Sequence, residues 1–164
     1  MYTPFENLTE DAKIWVYQMN RSLKPEEEQS ISEDLRQFLD SWNAHQQPLK
    51  CSGKIFYHQF LVLAVDENFN QVSGCSIDKS VDFLHQLSDK YNVDLFERNL
   101  IAFLENEQVR LEPLMELKEK IREGDIQFEA ITFNNLIKTK KELKNNWLIP
   151  AGESWMKRYY KIVK

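Results

Sequence analysis

Between Ile55 and Val65 the chain is apolar on both alternating faces, and Phe60-Leu61-Val62-Leu63-Ala64-Val65 contains no polar side chain at all. A strand with one wet face alternates apolar and polar residues, whereas a strand that has lost the alternation is buried on both sides. A chain built around this segment needs a layer on each face of its sheet. At six residues the run is far short of the roughly 20 needed to cross a bilayer, so it reads as a core strand and no transmembrane helix is expected.

The 164 residues, 42% hydrophobic and 12% aromatic, suffice for one sizeable core and not for two. A single α+β domain over 1–164 is expected. Met1-Tyr2-Thr3-Pro4-Phe5-Glu6-Asn7 has neither a basic nor an apolar leader region. Two cysteines, Cys51 and Cys75, make no disulfide framework, so free thiols and a cytoplasmic location are expected. Residues 130–164 hold eight Lys or Arg against two Glu, or +6, which leaves −11 of the total −5 for residues 1–129. An acidic body repels nucleic-acid phosphate, while the basic tail either attracts it or lies against the body. Nucleic acid is the less favoured partner.

Lys13–Met19, β-branched and aromatic, predicts a strand. Pro25 and three glutamates open a helix whose apolar positions Ile31, Leu35, Phe38, Leu39 and Trp42 follow helical spacing. Ile55–Val65, turn chemistry at Asp66–Gln71 and Val72–Ile77 predict a β-hairpin. A second helix follows, with Asp78 or Ser80 as cap and Val81, Phe83, Leu84, Leu87 and Tyr91 on its apolar face, and Leu100–Leu104 adds a strand. This βαββαβ order is the ferredoxin-like arrangement, two helices on one face of a four-stranded antiparallel sheet. Residues 1–107 form that core. Residues 108–164 read as a mostly helical C-terminal extension packed on the core: helix Glu112–Gly124, a loop or short strand at Phe128–Phe133, helix Leu136–Asn145 and a last helix from Ser154.

The strand-to-helix loop Gly74-Cys75-Ser76-Ile77-Asp78-Lys79-Ser80 is the principal candidate site. A helix N-terminus gathers unpaired N–H groups that suit an anion, and Lys79 reinforces the field. It is not a Walker loop, because Lys79 follows Gly74 after four residues and the second glycine is absent. Gly74, Ser76, Asp78, Lys79, Ser80 and Arg98 are the candidate ligand-binding residues, for an anionic small molecule. Pairing about a turn near Phe69 sets His58 opposite Ser80 or Val81, which makes His58, Asp78 and Ser80 the candidate acid–base and nucleophilic groups. The competing reading makes Asp78 or Ser80 an ordinary cap, Gly74 a bulge or close approach, and His58 a core histidine. By the same register Cys75 lies opposite Leu63 or Ala64 as an inert thiol. Asp66 and Glu67 read as solvated turn residues.

His45, Cys51, His58 and Cys75 lack the short paired spacings of a zinc site, so neither metal nor cofactor is expected. Trp15, Tyr17, Phe56 and Phe60 form either core or a base-stacking platform for RNA. The segment from Ser154 through Trp155, Tyr159, Tyr160 and Lys164 either packs on the domain or docks on a partner.

Ile14-Trp15-Val16-Tyr17-Gln18, Ser73-Gly74-Cys75-Ser76-Ile77-Asp78, Asp94-Leu95-Phe96-Glu97-Arg98 and Thr132-Phe133-Asn134-Asn135-Leu136 together resemble a family of small Bacteroidetes proteins, over nearly the whole chain. Its members often carry the label "ABC transporter ATPase". The resemblance implies a bacterial, cytoplasmic protein and carries over no catalytic residue. An ATPase domain of that kind needs a Walker loop and an apolar strand ending in acid, within more chain than this. The reading is therefore a small binding or interaction protein, with an unknown protein partner or as a homodimer. The alternatives are a small enzyme or ligand-binding protein for an anionic metabolite at residues 74–80, and an RNA-associated protein acting through the basic tail.

Overall fold

The computed structural model describes residues 1–160. In chain order the elements are β1 (Lys13–Gln18), α1 (Pro25–Ser41), β2 (Asn43–Ala44), β3 (Gln47–Pro48), β4 (Cys51–Phe56), β5 (Phe60–Val65), α2 (Gly74–Tyr91), β6 (Leu100–Glu105), β7 (Gln108–Pro113), α3 (Leu117–Arg122), β8 (Ile131–Phe133), α4 (Lys140–Asn146), β9 (Leu148–Pro150) and α5 (Lys157–Tyr160). Two antiparallel sheets, ordered β1-β5-β4 and β7-β6-β8-β9, carry the fold, with β2 and β3 as a small separate ribbon.

Every residue of β5 is fully buried. Leu61, Leu63 and Val65 point to one face and meet Ile31, Leu35 and Leu39 of α1 with Leu84 and Leu87 of α2. Phe60, Val62 and Ala64 point to the other and meet Ala102 of β6, Phe133 of β8, Leu143 of α4 and Trp147. Behind the second sheet, Phe103, Leu117, Ile121 and Met156 close a third cluster. The molecule is thus stacked in layers, with two helices, two sheets and a helical backing that includes α3.

Helix α1 begins where Pro25 needs no N–H partner and Glu27 accepts the Lys24 amide at 3.0 Å. Helix α2 is capped by Ser73, whose Oγ accepts the Ser76 amide at 3.1 Å, and it ends at Asn92 in the left-handed region. Arg21 ties the two helices together. Its guanidinium donates to both Glu27 oxygens, at 2.9 and 2.8 Å, and to the Tyr91 carbonyl at 2.9 Å.

The Arg21 hydrogen bonds, with the Lys24 amide, hold the Glu27 carboxyl down to about 2. A carboxyl depressed in the folded state contributes stability above its unfolded value, and that contribution is lost as pH falls through the folded one. Melting temperature is therefore expected to fall between about pH 4.5 and 2, and Arg21→Met is expected to flatten this part of the curve. An Arg21→Met curve of unchanged slope there would contradict the assignment.

Several expectations are corrected. The hairpin joins β4 to β5 through Tyr57, His58 and Gln59, not β5 to residues 72–77. Tyr57 and His58, under the Gln59 N–H to Phe56 O bond of 3.0 Å, sit at positive φ, 55° and 57°, a conformation that Asn and Gly usually supply in tight hairpin turns. His45–Gln46 and Asn106–Glu107, the two-residue loops of β2–β3 and β6–β7, also pair two positive φ values without glycine. Gly74–Ile77 is helical because Ser73 caps it. Cys75 is consequently exposed at the start of α2 instead of lying in a sheet.

The expected single four-stranded sheet is not formed. β6 is paired on both edges, by β7 and β8, so it has no edge left for β1. Residues 108–113, expected outside the sheet and in part helical, are strand β7; the helix starts only at Leu117. Asp66 is buried and lies 3.7 Å from Lys50 Nζ, so it is not a solvated turn residue. Trp15 and Tyr17 pack on the helical side of the sheet, Phe56 and Phe60 on the opposite side, so these four rings make no shared platform. Of the basic aromatic segment that starts at Ser154, residues 161–164 lie outside the described residues. Among the described residues no helix is long and apolar enough to cross a membrane.

Candidate functional site

The residues expected to gather near the 74–80 segment do not gather. Ser76 and Ser80 are buried: the Ser76 carbonyl accepts the Trp42 indole N–H at 2.8 Å, and Ser80 Oγ donates to the Ile77 carbonyl at 2.6 Å. Gly74, Asp78 and Lys79 are exposed on the first two turns of α2. His58 is at the opposite end of the helical layer, 3.2 Å from Glu28 in the first turn of α1. Trp42 after α1 meets the start of α2, while Arg21 before α1 meets its end. The helices run antiparallel, and their length separates His58 from Gly74 by about 20 Å or more. No acid–base pair between His58 and Asp78 or Ser80 forms.

Arg98 leads to a different place. A cleft of about 630 Å³ is walled by Val16, Tyr17 and Gln18 of β1, by residues 95–98, by the start of β6, and by residues 133–136, with Trp155 at its edge. The hydrogen bond from Met19 N–H to Gln59 O puts residues 13, 15 and 17 of β1 toward β5, and hence 14, 16 and 18 toward the free edge. Ile14 uses its outward N–H on Lys138 O, at 2.9 Å, but among the described residues the Val16 main chain has no backbone partner on that side.

A partly buried amide relay fixes the wall. Trp147 Nε1 donates to Asn135 Oδ1 at 2.9 Å, Asn135 Nδ2 to Gln18 Oε1 at 3.2 Å, and Gln18 Nε2 to the Leu100 carbonyl at 2.8 Å. These bonds use both ends of each amide, so Asn135 and Gln18 are held in one orientation. Tyr17 packs edge-on against Phe96 at 5.8 Å, and Phe96 stacks on His85 at 4.2 Å. Burial pushes the Tyr17 hydroxyl above its ordinary value.

Arg98 is exposed and enters no ion pair among the described residues. Leu136 is 85% exposed and Trp155 48%, an unusual outlay of apolar surface beside a cleft. The lining is guanidinium, amide, phenol and aromatic carbon. Glu97 is its one carboxylate, and Glu97 Oε1 is occupied by the Asn99 amide at 2.8 Å. The exposed Arg98 guanidinium, beside apolar and aromatic walls, suits recognition of an anion. Elsewhere, among the described residues, no three His, Cys, Asp or Glu side chains are grouped as metal ligands. Burial raises the Cys51 thiol to about 11, which suits a core residue and not a nucleophile.

Sequence reasoning singled out Arg98 as a ligand group and Trp155 as part of a packing or docking segment, and gave no role to Gln18, Asn134 and Asn135. Comparison with protein-family models, with curated proteins and with solved structures found no match.

Proposed function

We propose that this is a small binding protein that takes an anionic ligand with an apolar body in the cleft between β1, residues 95–98 and residues 133–136. The observation that carries the reading is Arg98, which enters no ion pair among the described residues, beside a wall fixed by the Trp147–Asn135–Gln18 relay. A guanidinium pairs with carboxylate or phosphate, and aromatic walls take an apolar body. Three of the four segments that carry the resemblance to the small Bacteroidetes family, 14–18, 94–98 and 132–136, contribute to this cleft. That is further support for placing function here and not at residues 74–80.

The cleft offers recognition groups and no nucleophile paired with a base, so binding is favoured over catalysis. A thermal-shift screen against aromatic and aliphatic carboxylates and phosphates is expected to raise the melting temperature with at least one class. Arg98→Ala is expected to weaken that ligand about tenfold or more, roughly 1.4 kcal/mol, while leaving the ligand-free melting temperature unchanged. A screen without any stabilising compound, or an Arg98→Ala protein that responds like the wild type, would overturn the reading. The exposed Leu136 and Trp155 favour a second reading, in which the rim is a contact for a partner protein.

A further inference from the structure

A second groove lies on the far edge of the first sheet. The Asp66 N–H donates to Lys50 O at 2.9 Å, so residues 50, 52, 54 and 56 bond toward β5 and residues 51, 53 and 55 face outward. Cys51 is already in use: its N–H donates to Met1 O at 3.1 Å, and its carbonyl accepts the Thr3 N–H at 2.8 Å. Residues 1–3 thus add to β4 as a short parallel strand. Pro4 ends this, and Phe5–Asn7 turns into a 3-10 helix whose Phe5 ring packs on Phe56 beneath the sheet. Among the described residues, the outward main-chain groups of Gly53 and Ile55 have no backbone partner.

These groups form the back of a groove of about 830 Å³. The exposed side of α1 borders it through Gln29, Ser32, Glu33 and Arg36, and Phe5 and Glu6 line its other wall. Leu35 and Leu39 line it over Gly53, whose lack of a side chain lets them come close to the strand. An edge strand with a helix alongside is the geometry in which an extended peptide adds a strand, its main chain bonding to the edge and alternate side chains entering the groove.

The charges select the occupant. Arg36 is engaged with the Tyr2 ring at 4.0 Å and with Asp40 at 3.8 Å, and Lys54 pairs with Glu6 at 2.9 Å. Glu33 has no cationic partner among the described residues, and Glu28 faces only His58. A second copy of this chain is disfavoured, because pairing β4 with itself brings two Lys54 side chains onto one face of the shared ladder.

We propose that the open edge of β4 beside α1 is a binding site for an extended, basic segment of another protein, added as a strand with Lys or Arg side chains toward Glu28 and Glu33.

The probe is an acetylated, fluorescent (Val-Lys)₄ peptide read by anisotropy, with (Val-Glu)₄ as its opposite. Saturable binding of the first and at least tenfold weaker binding of the second are expected. Glu33→Lys, on an exposed helix surface, is expected to weaken (Val-Lys)₄ about tenfold. Ile55→Pro removes the outward N–H and some core packing of the half-buried Ile55 side chain but no β4–β5 ladder bond, so it is expected to abolish binding with the circular dichroism spectrum unchanged. Should Ile55→Pro fail to fold, loss or retention of the Gly53 and Ile55 amide shifts on adding peptide to the wild type decides the point. Equal binding of the two peptides, equal binding to Glu33→Lys, or no saturation by millimolar peptide would overturn the proposal. So would a dimer of the wild type that Ile55→Pro dissociates, which assigns the edge to a second copy.

Discussion

Trp147→Ala is expected to destabilise the protein by about 3–5 kcal/mol, read as a fall of roughly 10 °C or more in melting temperature. Trp147 is nearly fully buried, and its ring lies 5.0 Å from Phe60, 5.0 Å from Phe133, 5.6 Å from Phe56 and 5.7 Å from Tyr57. Alanine leaves a cavity where strand β5, strand β8 and the β4–β5 turn all meet, and these rings belong to elements too well tied to collapse into it. It also leaves Asn135 Oδ1 without its donor, so residues 134–136 lose the anchor that shapes the cleft. Trp147→Phe keeps a ring in the cluster while removing the hydrogen bond and a smaller part of the packing, at a cost of about 1–2 kcal/mol. Equal losses for the two variants in thermal or urea unfolding would show that the ring cluster is not what holds the two sheets together.

Gly53→Val is expected to cost about 1–3 kcal/mol, since a Cβ there would stand 2.9 Å from Leu35 Cδ2 and 3.1 Å from Leu39 Cδ1. Both leucines are buried between α1 and the sheet, so making room for the new side chain disturbs packing already formed there. Gly74→Ala is the matching control. Nothing lies within 4 Å of its Cβ position and its backbone is already helical, so alanine is expected to be neutral or to stabilise by about 0.4–1 kcal/mol. Urea midpoints of the two variants, moving in opposite directions or one of them not at all, test this. A destabilised Gly74→Ala would revive a close approach at the start of α2.

What could be read in the chain was whatever a single element decides by itself. The loss of alternation at Phe60–Val65, the helical spacing of Ile31, Leu35 and Leu39, and the acidic first turn of α1 each report on local burial or local capping. The turn at Tyr57–His58 was illegible because neither residue is one that eases positive φ, and the whole register of the hairpin followed from that turn. The start of α2 was misread for a related reason: its capping box uses Ser76 where Glu or Gln is the usual signature. Gln108–Pro113 has a Gln, an Arg and a Glu among its six residues, and it is a strand because β6 supplies its partner. The cleft was legible only through Arg98. Gln18, Asn135 and Trp155 reach it from positions well over a hundred residues apart at the extremes, and no spacing rule links them.

The burial of β5 on every side carries a liability of its own. Phe60–Val65 is a six-residue segment of high β-propensity with no charge, proline or glycine, the composition of a strand that stacks on copies of itself. In the native state its edges belong to β1 and β4 and its faces to the helices and to the second sheet. Any partial opening that lifts the second sheet uncovers Phe60, Val62 and Ala64 together, and the outcome is then a matter of aggregation, not of refolding alone. Gln59 and Asp66 stand at the two ends of the segment as its polar gatekeepers, and Asp66 supplies its nearest negative charge.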